Sequence, residues 1–227
     1  HNSDNIRAVR ADPDAPLSVS GMQDGYNKRV DSLGYYVFRY SDDNGVVWSD
    51  TRYTIPVRAF EIDENNTHRG EIRFFWNVGR PFVHEGTAFV PLHKVGGFGA
   101  GFFTSSEGAL VSSSNLIEVD DPDDAEWETL PDGKVGIRPP ESGGPIAEEH
   151  SFAVLSDGSF FTVYRTVSGY SARAYSRDKG RTWSDPEFMT FADGRRIKNP
   201  RAANFVWRCS NGKYLYWFHN HGGSAVL

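Results

Sequence analysis

Ser176-Arg177-Asp178-Lys179-Gly180-Arg181-Thr182-Trp183 is the stretch that decides the fold. Its outline, Ser-x-Asp-x-Gly-x-(Thr or Val)-Trp, recurs at Ser41-Asp42-Asp43-Asn44-Gly45-Val46-Val47-Trp48. Each copy follows a strand-like run, and a short pattern repeated in that setting marks a repeat architecture. Upstream of the second copy, Ser151 to Leu155 reads as a strand and Ser156-Asp157-Gly158 as a turn. Ser159 to Tyr164 is a second strand, Val167-Ser168-Gly169 the next turn, and Tyr170 to Tyr175 a third strand. The box then leads into a fourth strand through Trp183. Four short antiparallel strands in about 40 residues are the signature of a propeller blade.

Less complete units flank this one. Gly34 to Tyr40 is an aromatic strand entering the first box, Thr51 to Phe60 is its return, and Asp63 to Gly70 is a polar loop. Phe74 to Val83 and Thr87 to Leu92 are apolar runs joined by the turn His84-Glu85-Gly86, where His84 reads as a turn residue. Phe98 to Phe103 is a Gly-rich strand, and Thr104-Ser105-Ser106-Glu107-Gly108 reads as a degenerate third box. Residues 118–147, acidic and then Pro/Gly-rich, read as an excursion between repeats. Ala203 to Cys209 and Lys213 to Phe218, around Ser210-Asn211-Gly212, begin a further blade. Residues 1–32, broken by Pro13 and Pro16, read as loop with one strand at most, and no helix is expected. The expected fold class is all-β: part of a β-propeller of four-stranded antiparallel blades, one partial domain across residues 1–227. Blade material lies at about 34–60, 74–117, 149–190 and 203–227.

Composition narrows the function classes. With 38% hydrophobic and 14% aromatic residues among 227, plus 23 Gly and 12 Pro, the chain has core material and turn formers for a strand-rich fold. A net charge of -6 argues against a nucleic-acid partner and a polybasic membrane surface. No apolar run approaches the roughly 20 residues of a membrane span. The single Cys209 rules out an intrachain disulfide, and Asn65-Asn66-Thr67 is a weak glycosylation acceptor. Nothing in the sequence calls for a cofactor.

The internal alignment locates the candidate chemistry. Superposing Gly86, Gly158 and Gly212 places His93, Arg165 and His219 together, each seven residues on, at the end of a second strand. Because the second strand runs antiparallel to the first, its end lies beside the first strand's start, at one mouth of the propeller. Glu148, Glu149 and His150 stand at such a start; the boxes, in strand three–four turns, fall on the opposite face. In the boxes, Ser41, Asp43, Gly45, Trp48, Ser176, Asp178, Gly180 and Trp183 are structural: the Asp accepts hydrogen bonds from its own turn, the Gly supplies a positive φ, and the Trp packs between blades.

At the mouth, Arg165 is either a structural partner of Glu148 or Glu149 or a clamp for a substrate carboxylate. Glu149 is either its counter-ion or a carboxyl with a raised pKa that serves as a base or polarises a nucleophile. His93 and His219 are either acid/base groups and hydroxyl binders or satisfied structural histidines. Arg201, after Asn199-Pro200, either reaches the mouth or lies on the surface. Tyr170 either stacks on a sugar ring or packs. Asn220 and His221 join His219 as substrate-binding candidates. The run His219-Asn220-His221 lacks a third ligand at good spacing, so no metal site is expected.

The two boxes resemble the Asp-box (BNR) repeats of the sialidase superfamily, and the span Glu149 to Arg165 resembles one of its blades. The resemblance implies a six-bladed propeller, a glycan substrate, and a secreted or periplasmic location. It implies that Arg165 is one of three arginines that clamp a sialic acid carboxylate, and that Glu149 polarises a Tyr nucleophile. The chain has no Phe-Arg-Ile-Pro-like motif for the first arginine and no acid/base Asp near the first box. The third arginine and the Tyr are expected beyond Leu227, in a larger protein. The expected activity is that of an exo-glycosidase hydrolysing a terminal acidic sugar. The alternatives are a polysaccharide lyase using His and Arg on a uronate polymer, and a propeller that binds glycan without cleaving it. Oligomeric state is left open.

Overall fold

The structure, a computed structural model, describes residues 36–66, 69–70, 73–96 and 104–221, together with the backbone of short strands at 22–23, 26–27, 98–99 and 102–103. Its sheets are antiparallel. Met22–Gln23 (β1) pairs with Tyr26–Asn27 (β2), and Val37–Phe38 (β3) with Tyr53–Thr54 (β4). A single helical turn follows, Glu61–Glu64 (α1). Phe74–Trp76 (β5) and Phe82–His84 (β6) both pair with Thr87–Val95 (β7). Phe98–Gly99 (β8) and Phe102–Phe103 (β9) form a small hairpin. Ser106–Ser113 (β10) then pairs with β7 on one side and with Glu128–Leu130 (β11) on the other. Since β5 and β6 share one position beside β7, this sheet is a four-stranded blade with an interrupted first strand. Glu148–Val154 (β12), Phe160–Arg165 (β13), Ser171–Ser176 (β14) and Glu187–Phe188 (β15) make the complete blade, in sequential order. Phe205–Arg208 (β16) and Tyr214–Trp217 (β17) form the last pair.

The alternation of side chains along each strand builds the core between blades rather than within them. In β10, Leu110 joins Phe89, Leu130, Phe152, Phe160 and Tyr164 in one cluster, while its neighbours Ala109 and Val111 join Ile55, Phe60 and Leu92 in another. In β12 the same switch sends Phe152 to the first cluster and Ala153 to a third with Val163 and Val206. Every residue of β10 is buried, as a strand covered on both faces requires. Burying a side chain such as Phe160, fully inaccessible, contributes about 1.5–3 kcal/mol.

The boxes hold turns. Asp178 Oδ1 accepts from the Thr182 N–H at 2.9 Å and from the Ser176 hydroxyl at 2.7 Å, and Gly180 has φ +93°. Asp43 repeats this with the Val47 N–H at 2.8 Å and the Ser41 hydroxyl at 2.7 Å. Trp183 donates its indole N–H to the Gly180 carbonyl, meets Phe152 of its own blade edge-on and packs on the cluster shared with β10 and β11. Trp48 donates likewise to Gly45 but is exposed rather than packed between blades.

Several boundaries differ from the expectation. The proposed third box at residues 104–108 is instead the approach to β10, whose buried start is Ser106-Glu107-Gly108. The third turn of this kind sits at Ser113-Ser114-Asn115. There Asn115 Oδ1 accepts from the Ser113 hydroxyl and from the Glu126 N–H at 2.9 Å, and Trp127 follows. Asn for Asp, and the residues inserted between Asn115 and Trp127, hid it. That insertion includes a 3-10 turn, Pro122–Asp124. Residues 118–147 are therefore not all excursion, since β11 completes the blade. Phe98 to Phe103 is a hairpin rather than one strand. Only Tyr53–Thr54 of residues 51–60 pairs, and α1 adds a helical turn where only loop was expected. The fourth strand of the complete blade is β15, beyond Trp183, because the box continues as a turn through Ser184, whose N–H donates to the Tyr175 carbonyl. Most of residues 1–32, and Gly222-Gly223, lie outside the described residues.

Candidate active site at the start of the complete blade

The site begins with a mismatch between two strands. Glu148 pairs with Arg165 and the next aligned pair is Ser151 with Val163, so β12 carries one residue more than β13. This β-bulge puts Glu149 at φ +60°, a conformation uncommon outside glycine. In a regular strand consecutive side chains point to opposite faces. Here both carboxylates reach one guanidinium: Arg165 Nη2 lies 2.7 Å from Glu148 Oε2, and Nε lies 2.9 Å from Glu149 Oε2. The second contact is an ion pair lying off the hydrogen-bonding direction.

Arg201 completes the group. Its carbonyl accepts from Arg165 Nη1 at 2.8 Å, and its own Nη2 lies 3.2 Å from Glu148 Oε1. Glu148 is fully buried, and two guanidinium groups offset the cost of keeping its charge there. Among the described residues, Arg165 donates one hydrogen bond, from Nη1 to the Arg201 carbonyl, while Nη2 and Nε meet the two carboxylates as ion pairs.

His93 meets the same bulge from the neighbouring blade. Its Nδ1 accepts the Glu149 N–H at 3.2 Å, which leaves the proton on Nε2, and the Trp76 ring lies edge-on at 4.6 Å. Burial, reinforced by His150, Arg165 and Arg201, holds its pKa well below 6.5, so the ring is neutral. His150 stacks on Tyr164 at 4.4 Å above Gly108, where an added Cβ would fall 2.2 Å from Nε2. Burial pushes its pKa down to about 3.

The structure thus brings Glu149, Arg165, His93 and Arg201 together. His219 is exposed: its N–H donates to Asn199 Oδ1, its ring faces that of His221 at 6.1 Å, and Asn220 between them is exposed too. Among the described residues, no hydrogen bond or ion pair links His219 to Glu149 or Arg165. Tyr170 meets Phe188 edge-on, and the Arg196 guanidinium covers its ring at 5.5 Å, which is packing. Among the described residues, no group of three or more His, Cys, Asp or Glu is arranged to hold a metal ion, and no helix is long and apolar enough to cross a membrane.

Known folds share this arrangement of blades. Over 83% of its length the chain superposes on a leech intramolecular trans-sialidase, with TM-score 0.54 and 23% identity, covering 24% of that chain. It superposes likewise on NanB sialidase from Streptococcus pneumoniae, with TM-score 0.54, 20% identity and 24% of that chain covered. The fold is that of the sialidase β-propeller. A protein of unknown function from Dyadobacter fermentans shares it, with TM-score 0.55, 17% identity, and 83% and 49% of the two chains covered. The chain therefore spans about a quarter to a half of these proteins. No family model and no curated protein matches it.

Within the sialidase fold, the residue that sequence reasoning undervalued is Glu148. Sequence reasoning treated it as one of two possible counter-ions, yet it is the hub shared by Arg165 and Arg201. The signal was the doublet Glu148-Glu149 opening a strand, since neighbouring carboxylates face the same cation only across a bulge. Burial raises the Glu149 pKa above 4.5; Arg165 opposes this and Glu148 adds to it. A carboxyl that holds its proton more tightly folded than unfolded stabilises the fold below its unfolded value and loses that contribution as pH rises through its folded value. Wild-type stability, relative to Glu149→Gln, is therefore expected to fall as pH rises above about 4.5. Denaturant melts across pH measure it, and parallel curves for the two chains would remove the raised Glu149 carboxyl from the account.

Proposed function

We propose that this chain is a carbohydrate-active hydrolase, an exo-glycosidase acting on a terminal acidic sugar. The observation that carries the reading is the convergence of Arg165 and Arg201 on the single buried carboxylate of Glu148, with Glu149 alongside. Two guanidinium groups at one mouth suit an anionic ligand, and Arg165 presents the planar fork that a carboxylate matches. Arg165 holds the sugar carboxylate, and Glu149, once ionised, draws the proton from a nucleophile supplied from outside the described residues. The Arg201 guanidinium shares the clamp. His93 serves this site as a positioning residue, pinning the Glu149 N–H so that the bulge aims its carboxyl at Arg165. The leech enzyme of this fold was captured with 2,7-anhydro-Neu5Ac, an acidic sugar, which supports the substrate class.

The test is release of free sugar from terminal acidic glycosides, sialosides first, by the full chain. Turnover is expected, with kcat lowered about 10²–10⁴-fold in Glu149→Gln. No release from any acidic glycoside overturns the reading. An unsaturated product absorbing in the ultraviolet would put a lyase in its place, and binding without turnover a lectin.

A further inference from the structure

A polar cavity lies away from the Arg165 cluster. It has a volume of about 500 Å³, within the about 300–1,000 Å³ typical of small-molecule sites. It opens between the ends of β7 and β10, the turn α1 and the loop 138–145. One side chain there is set as a tool. Arg138 Nε is fixed at 2.7 Å on Glu107 Oε1, and the other oxygen of Glu107 accepts the Gly136 N–H at 2.8 Å. The Glu107 side chain is 8% exposed while that of Arg138 is 55% exposed. The backbone is anchored as well, since the Arg138 carbonyl accepts the Tyr164 hydroxyl and the neighbouring Ile137 bridges Gly108. An arginine is usually mobile; this one is held at its base and its Nε. Among the described residues, its terminal nitrogens make no hydrogen bond or ion pair.

We propose that this cavity binds a sugar residue carrying a single carboxylate, with the two terminal nitrogens of Arg138 gripping that carboxylate side by side. A planar guanidinium with its outer edge free matches a carboxylate bidentately. Thr104, Ser105 and Asn65 line the same cavity with hydroxyl and amide groups suited to sugar hydroxyls. Pro139 and Pro140 offer an apolar wall for the C–H face of a pyranose. Glu61 and Glu141 also line the cavity, and their charge weighs more heavily on a dianion such as a phosphate ester than on a single carboxylate. The site goes beyond the proposed hydrolase and stands without it, because it uses neither Arg165 nor Glu149. In a glycan hydrolase it would hold a second acidic unit of the same chain: the loop that lines it continues through Ile146 and Ala147, both paired to Ser106, directly into Glu148.

The experiment is a binding titration of the full chain with D-glucuronic acid, followed by protein NMR, with D-glucose and glucose 6-phosphate as neutral and dianionic controls. Arg138→Lys is the variant, because lysine leaves Glu107 a cation while removing the paired donors. Glucuronate is expected to bind more tightly than either control, and to weaken at least about tenfold in Arg138→Lys. Unaltered near-ultraviolet circular dichroism of the variant shows that its fold is intact; if that signal is lost, Thr104→Tyr, which fills the cavity from an exposed position, takes its place with the same expected loss. Undetectable binding to the wild type overturns the proposal. So does equal binding to the variant, or binding of glucose 6-phosphate at the same strength.

Discussion

Replacing Arg165 with Met is expected to cost about 3–5 kcal/mol of stability and to abolish any turnover of acidic glycosides. The stability loss follows from what is left behind. Arg165 is mostly buried, at 13% side-chain exposure, and Glu149 loses the cation 2.9 Å away that holds its charge. Glu148 keeps Arg201 at 3.2 Å and is only partly stranded. Most of the damage therefore falls on Glu149, and the double variant Glu149→Gln/Arg165→Met should recover part of the stability without recovering turnover. Urea denaturation of the four chains in that cycle measures it. A single-variant loss below about 1 kcal/mol would make this an ordinary surface pair, at odds with its burial.

Lys94→Met is the second large effect. Lys94 Nζ sits 2.5 Å from Asp63 Oδ2, with both side chains at 0% exposure, and lies 4.8 Å over the Phe60 ring. Asp63 Oδ2 also accepts the Phe60 N–H at 2.8 Å, so the pair ties α1 to β7. Removing only the lysine leaves an uncompensated buried carboxylate, at a cost of about 3–5 kcal/mol. Removing both charges in Asp63→Leu/Lys94→Met should restore most of that loss, because the ion pair must also offset its own desolvation. A double variant no more stable than Lys94→Met would show that the pair does more than cancel charge.

The blades were legible where hydrophobic alternation and turn chemistry agree. The span from Glu149 to Trp183 satisfied both, and strands β12, β13 and β14 fall within a residue or two of the expected bounds, apart from an earlier start of β12. Counting seven residues from a turn glycine found Arg165 and His93 at one end of their blades, and the structure joins them through Glu149. The count works because β13 and β7 run without interruption between glycine and site. It placed His219 by the same rule, yet His219 is exposed and its ring faces only His221 among the contacts described above. Side chains meet through neighbours, which a count along one strand does not see. The bulge at Glu149 was illegible for a related reason: one extra residue in a paired strand leaves no mark on composition. Asn115 hid the third box because an amide oxygen accepts the same N–H groups as a carboxylate, so geometry tolerates a change that a pattern does not.

The Asn115 turn also bears on how such a chain can change length. A single side-chain oxygen clasps the Glu126 N–H and thereby closes a loop much longer than those at Asp43 and Asp178. With the ends of the loop joined in this way, β10 and β11 stay paired across the long intervening loop. Each doubling of a flexible loop costs only about 0.6 kcal/mol in closure entropy. The box face is thus the side on which this chain carries a long turn at small entropic cost, away from the opposite rim with Glu149 and Arg165.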